Sequence, residues 1–217
     1  MTETPQPPAP AISAIADPAP LGLAAFALTT FLLSAKNADW TNGTDAWLGY
    51  AFFYGGLCQL LAGMWEFRNR NTFGATAFST YGGFWIGLAW YVTHVAPTAG
   101  AAAKAAGGGD PELLIQNDLG WILLAFAIFN TYMLLMASQV NTAVFGVFLT
   151  LEVTEIVLFI GNFNHSAGTV KLGGWIGVLT AVVAWYTSAA GVANNTPGRI
   201  SLPVGSPFGA KTAQPVA

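Results

Sequence analysis

Phe53-Tyr54-Gly55-Gly56-Leu57-Cys58-Gln59-Leu60-Leu61-Ala62-Gly63, then Glu66, then Asn71-Thr72-Phe73-Gly74-Ala75-Thr76-Ala77-Phe78-Ser79-Thr80-Tyr81-Gly82 is the stretch from which the fold is read. It lies within Leu48 to Val95, where two apolar runs, each near the roughly 20 residues that cross a bilayer, meet at a short charged turn. Both runs carry glycines and hydroxyls where a lipid-facing helix would carry leucine. That pattern belongs to helices packing closely on one another around a path.

The rest of the chain agrees. Of its 217 residues 54% are hydrophobic and only 8% charged, and its mean hydropathy is +0.54, whereas a soluble domain has about a quarter of its residues charged. This is the composition of an integral membrane protein. A net charge of -3 leaves no basic face for nucleic acid, so no nucleic-acid partner is expected and the bilayer is. The single cysteine, Cys58, sits in an apolar run and reads as a packing residue, with no disulfide framework and no thiol pair.

Runs free of Asp, Glu, Lys and Arg mark the spans. They predict six transmembrane helices over about 20–37, 46–66, 73–96, 119–139, 142–163 and 171–193, within a domain at 17–197. Residues 1–16, with Pro5, Pro7, Pro8 and Pro10, read as a disordered tail, and 198–217 as a C-terminal tail. Thr98 to Asp118 reads as a polar loop. Asp17 is placed to bond the first-turn N–H groups of a helix opened by Pro18 and Pro20, and Asn141-Thr142 to cap the fifth span. An even number of spans puts both termini on one side. Arg68, Arg70, Arg199 and Lys211 against Lys36, Lys104 and Lys171 make that side the cytoplasmic one by 4 to 3. The expected location is the plasma (cytoplasmic) membrane, with a multi-pass topology.

Gly83 with Gly87, and Gly173 with Gly177, form GxxxG pairs suited to helix contacts. Trp40, Trp47 and Trp65 fall near span ends, as interfacial aromatics do, whereas Trp85 and Trp175 are expected inside the bundle.

Functional candidates are the polar residues inside spans, because each loses hydration unless it meets a partner or a water-filled path. They include Gln59, Thr76, Ser79, Thr80, Asn130, Thr131, Thr150, Thr154 and Asn162, with Glu152 and Glu155 three residues apart on one helical face. The two carboxyls read either as a proton relay or gate, or as structural groups bonded to a neighbouring helix. Glu66, beside Arg68 and Arg70, reads as half of an interfacial ion pair. His94 and His165 lack a second ligand at metal spacing, so no metal is expected. No nucleophile elbow, P-loop, dinucleotide fingerprint or zinc-protease motif occurs, so neither an enzyme nor a cofactor is expected.

These motifs also carry a resemblance. Asp17-Pro18-Ala19-Pro20-Leu21-Gly22-Leu23 with Phe26, Phe53-Tyr54-Gly55-Gly56 with Gln59, Ala62-Gly63 and Glu66, and Asn71-Thr72-Phe73-Gly74 through Ser79-Thr80-Tyr81-Gly82 and Phe84-Trp85 closely resemble the acetate uptake transporter family. Gly161-Asn162, Gly174-Trp175-Ile176-Gly177, Gly198-Arg199 and Leu202-Pro203 continue it in order, so it covers roughly Asp17 to Gly205. Bacterial members of that family are acetate/succinate permeases. The resemblance implies six helices, a homohexamer with one path per protomer, cytoplasmic termini, and passage of monocarboxylates with acetate preferred. It implies a path lined by the opening segment, hence Asp17, Pro18, Pro20, Leu21, Gly22 and Leu23, and a hydrophobic constriction of Phe26, Tyr81 and Leu151. Here Asp17 stands where the family has Asn, which sets a carboxylate beside an anion path.

A narrow apolar neck flanked by hydrogen-bond donors would pass a small carboxylate and its methyl group while disfavouring hydrated ions. The backbone of Pro18 to Leu23 and the side chains of Gln59, Thr76, Thr80, Asn130 and Thr131 are the candidate donors. The expected function is transport of acetate and other small monocarboxylates, with succinate among the candidates, by a proton-coupled carrier or an anion channel. Export of ammonium or another small solute, or a sensor or scaffold without flux, are the alternatives.

Overall fold

The computed structural model describes residues 15–41 and 45–209, so residues 1–14 of the expected N-terminal tail and 210–217 of the C-terminal one lie outside the described residues. Every regular element among the described residues is helical. They are α1 (Ala19–Asn37), α2 (Trp47–Phe52), α3 (Gln59–Arg68), α4 (Thr72–Trp90), α5 (Ala96–Ala105), α6 (Pro111–Ala137), α7 (Thr142–Phe163) and α8 (Ala167–Asn195). A π-helical segment, Phe53–Cys58, joins α2 to α3 without a break, and another, Tyr91–Val95, joins α4 to α5. The described residues therefore form six continuous helical stretches, two of which, 47–68 and 72–105, each contain a π segment.

Four helices, α1, α6, α7 and α8, are long and apolar enough to cross a bilayer. The outer surface is correspondingly greasy: Phe53, Trp121, Ile128 and Leu135 are each more than 60% exposed, which a soluble monomer would not tolerate as a continuous surface.

Local signals explain where the helices start. Asn71, Asn141 and Ser166 each accept from a backbone N–H three residues on, capping α4, α7 and α8. Asp17 Oδ1 accepts from Ala19 N at 3.0 Å, where the first turn has N–H groups to spare. The stretch read as a loop at Thr98 to Asp118 is mostly helical instead. α5 continues to Ala105, and α6 begins at Pro111, because Asp110 accepts from Glu112 N at 2.9 Å and Pro111 occupies a first-turn position.

Packing is closest between α1 and α8, between α7 and its neighbours α6 and α8, and between α3 and α4. Gly173 lies against Leu158 on α7, and Gly177 against Ser34 on α1 and Thr154 on α7, so this GxxxG pair packs inside the bundle. Gly83 and Gly87 instead face open space, with nothing within 4 Å of a built Cβ. Trp85 is buried as expected, but Trp175 is 51% exposed and packs edge-on against Trp40 on the outer surface, 4.8 Å between centroids.

The ends of the chain's helical core meet at one end of the bundle. Ser188 Oγ donates to Pro20 O at 2.6 Å, and Asn195 Nδ2 reaches Asp17 Oδ2 at 3.4 Å. The segment after α8 then lies across this end, where Ala143 N donates to Val204 O and Phe208 N to Ser138 O, each at 2.9 Å.

Candidate functional site

The site is built along one face of α1. Phe26, Thr30, Ser34 and Asn37 follow one another at spacings of four, four and three, so they stack on one stripe. That stripe lines a cavity of about 50 Å³ together with Tyr81, Phe84 and Trp85 of α4, Leu123 of α6, and Leu151, Thr154, Glu155 and Leu158 of α7. Toward the C-terminal end of α1 it adjoins a vestibule of about 540 Å³, with Leu33, Asn37, Phe84, Leu123 and Leu158 lining both. The vestibule adds polar groups, among them Lys36, Asp39, Glu112, Gln116, Asn162 and Ser166. Two of its charges are paired at the rim, Lys36 with Asp45 and Asp39 with Lys171.

Phe26, Tyr81 and Leu151, expected as the constriction, come together. All three are buried, all three line the small cavity, and the Phe26 and Tyr81 rings meet edge-on at 5.8 Å. They also belong to a packed apolar cluster with Leu23, Phe78, Met133, Val147 and Phe148. The small cavity thus shares lining residues with the vestibule, while these three residues are also packed into the apolar cluster.

Polar groups around the Tyr81 hydroxyl are tied together. The Tyr81 hydroxyl approaches Asn130 Oδ1 at 3.0 Å and Glu155 Oε1 at 3.3 Å. Asn130 Nδ2 donates to Phe148 O at 2.9 Å and to Glu152 Oε2 at 2.7 Å, and Thr131 Oγ1 donates to Glu152 Oε1 at 2.8 Å. The two glutamates are therefore differently employed. Glu155 is 4% exposed and lines the cavity, whereas Glu152 is half-buried and clamped to α6 by both of its oxygens.

Other candidates sit elsewhere. Asp17 and Leu21 are exposed, Pro18 and Pro20 half-buried, Gly22 packs against the Phe78 ring and Leu23 belongs to the core. Gln59 is fully buried, while Thr76 and Thr80 are half-buried on α4 and Thr131 is exposed; none of the four lines either cavity. Among the described residues Glu66 has no ion-pair partner. Its carboxyl is fully buried at the turn between α3 and α4 and accepts from Asn69 Nδ2 at 3.2 Å. His94 stacks on Trp90 at 3.9 Å, and His165 Nδ1 is 2.8 Å from Gln116 Oε1. Cys58 is free and half-buried.

Sequence reasoning passed over Thr30, Ser34, Asn37 and the Trp85 indole N–H. The signal was present for the first three, as polar residues on the same stripe of α1 as Phe26.

The chain is 42% identical over 197 residues to acetate permease A of Emericella nidulans, across 87% of this chain and 65% of that relative. It thus spans less than two thirds of that protein's length. It is 33% identical to the succinate-acetate/proton symporter SatP of Escherichia coli K12, covering 88% of this chain and 96% of the symporter. A solved structure described as the bacterial acetate channel SatP superposes with a TM-score of 0.75 at 33% identity, over 88% of this chain and 99% of that one. A sequence profile of the GPR1/FUN34/yaaH family matches residues 2–206, and on that extent this multi-pass helical membrane protein belongs to the GPR1/FUN34/yaaH family.

Proposed function

We propose that this chain moves acetate and similarly small monocarboxylates across the plasma membrane, through a path inside each protomer that narrows at Phe26, Tyr81 and Leu151. The carrying observation is that these three residues line a small cavity that shares lining residues with a polar vestibule. A cavity of about 50 Å³ has room for a few water molecules at roughly 10–15 Å³ each, the scale of a two-carbon acid. Succinate, with a second carboxylate, fits less readily. The names of the relatives support the same substrate class.

In this reading the stretches 47–68 and 72–105 also cross the bilayer, giving six spans. The first has 22 residues, which at about 1.5 Å of rise each exceed the ~30 Å of hydrocarbon. Both termini are then cytoplasmic and the vestibule faces outward. The protomers assemble as a homohexamer, and Asp17 marks the inner mouth.

A titratable carboxyl in the cavity favours proton-coupled carriage over an anion channel, with Glu155 as the group concerned and Glu152 as its support. The test is labelled acetate uptake into proteoliposomes under an imposed inward proton gradient, compared with an imposed voltage at equal pH. Accumulation beyond that in protein-free liposomes, driven by the proton gradient, is expected. Flux following voltage alone would make the protein a channel, and no flux above protein-free liposomes would remove the transport reading. Failure of acetate analogues to compete would point to a different solute such as ammonium.

A further inference from the structure

Three buried polar atoms have no hydrogen-bond partner among the described residues and belong to residues lining the same small cavity: Thr30 Oγ1, Trp85 Nε1 and Glu155 Oε2. Buried polar groups are nearly always satisfied, so three such atoms around one cavity call for a common explanation. Their chemistry restricts the answer. An indole N–H only donates, a hydroxyl donates or accepts, and a carboxyl oxygen accepts when ionised or donates when protonated. An ammonium ion would suit Glu155 and Thr30 but would set its own N–H groups against the Trp85 donor. A carboxylic acid offers two oxygens, one for Trp85 and Thr30 and one for Glu155.

We infer that this cavity is a binding site for a small carboxylic acid in which the substrate carboxyl and Glu155 share one proton, with Trp85 Nε1 and Thr30 Oγ1 donating to the substrate. The inference rests on the transport reading above and identifies the species held on its way to the neck. Two carboxylates at hydrogen-bonding distance cannot both stay ionised in a dry site, so one proton occupies it with each acid. It is delivered either on the substrate or on Glu155, and the occupied site is the same in both cases. Glu155 Oε1 is engaged by Tyr81 at 3.3 Å, leaving Oε2 for the substrate.

The titratable groups facing Glu155 are Tyr81 from α4 and Glu152 from its own helix. α1 contributes Thr30 and Ser34, α6 contributes Asn130, and α8 packs through Thr180; none of these is charged. Lys36, Asp39 and Glu112 stand farther out, in the vestibule.

The test is equilibrium binding of labelled acetate to the purified protein in nanodiscs, over a pH range carried above the ionisation of both free acetic acid and Glu155 in the empty site. One shared proton requires wild-type affinity to fall about tenfold per pH unit on the alkaline arm. In Glu155→Gln an amide N–H stands in for the carboxyl proton, so binding persists and that slope disappears. Trp85→Phe and Thr30→Val each weaken binding, on the order of tenfold, with the slope retained. An equal slope in wild type and Glu155→Gln, or a flat wild-type profile, overturns the inference while leaving flux and the transport reading intact. No acetate binding together with no flux overturns both. Should Glu155→Gln fail to fold, infrared difference spectra of the wild type with carboxyl-labelled acetate decide. One protonated carboxyl per occupied site supports the inference, and two ionised ones, or water as the only occupant, overturn it.

Discussion

The Tyr81 hydroxyl lies 3.3 Å from Glu155 Oε1, joining α4 to the buried carboxyl on α7, and the same hydroxyl lies 3.0 Å from Asn130 Oδ1. One O–H hydrogen thus serves two acceptors, while the ring below it packs against Phe26, Phe126 and Phe129. Tyr81→Phe separates the two roles. The ring still fills the neck, so discrimination between acetate and succinate is expected to stay at the wild-type level. The buried acceptors lose their donor, which costs about 1–3 kcal/mol of stability. Thermal melting in detergent and two-substrate uptake measure both. Lost discrimination with unchanged melting would reverse the assignment.

Phe26→Ala removes the other ring of the pair. Truncating a buried Phe costs about 3–5 kcal/mol, so a lower melting temperature is expected. In the protein that remains folded, the succinate-to-acetate uptake ratio should rise several-fold, because a ring lining the cavity is gone. An unchanged ratio would remove Phe26 from the neck.

Glu152 accepts from Asn130 at 2.7 Å and Thr131 at 2.8 Å, both well-formed hydrogen bonds. Its role is to clamp α6 to α7. Glu152→Gln keeps one acceptor but turns an N–H toward the other donor, so a loss of about 1–2 kcal/mol is expected. The pH profile of acetate uptake should keep its wild-type shape, in contrast to Glu155→Gln. A flattened profile in Glu152→Gln would place this residue in the proton path.

These contrasts explain how much was legible in the sequence. Long charge-free runs marked the helices because a bilayer dictates both length and polarity. The start of α6 was hidden because Asp110-Pro111-Glu112 follows Gly107-Gly108-Gly109, and the glycines read as loop before the capping signal could be weighed. Glu155 was visible as a polar residue within a span, and Tyr81 through the family resemblance. Their hydrogen bond was not, since it joins residues 74 positions apart and only tertiary packing brings them together. Thr30 was overlooked because hydroxyls in helices commonly bond back to their own backbone, as its neighbour Thr29 does to Ala25 O at 3.0 Å. Glu66 misled in the opposite way: nearby arginines suggested an ion pair, but the turn after α3 folds its carboxyl inward.

Gly82 faces α3 at a distance no side chain could share. A Cβ there would lie 2.7 Å from Leu60 N and 2.9 Å from Gly56 O, both backbone atoms that cannot swing aside. Gly82→Ala should therefore destabilise by about 1–3 kcal/mol through overpacking, outweighing the gain of under ~1 kcal/mol that alanine brings to a helix. Melting of the variant checks this, and a rise in melting temperature would contradict the close α3–α4 contact.

The next residue reverses the expectation. Gly83 is exposed, and a Cβ built on it meets nothing within 4 Å, as is also true of Gly87 one turn later. Within a single protomer, Gly83→Ala should thus be neutral or stabilise the helix by up to about 1 kcal/mol. In the proposed hexamer the same open strip would let a neighbouring helix approach closely. Gly83→Leu then becomes discriminating, because a large side chain would prevent that approach without touching the cavity. The expected result is a smaller particle by light scattering, with acetate uptake per protomer retained. An unchanged particle mass would mean that the protomers meet through another face, and loss of uptake with unchanged mass would mean that α4 moves during transport.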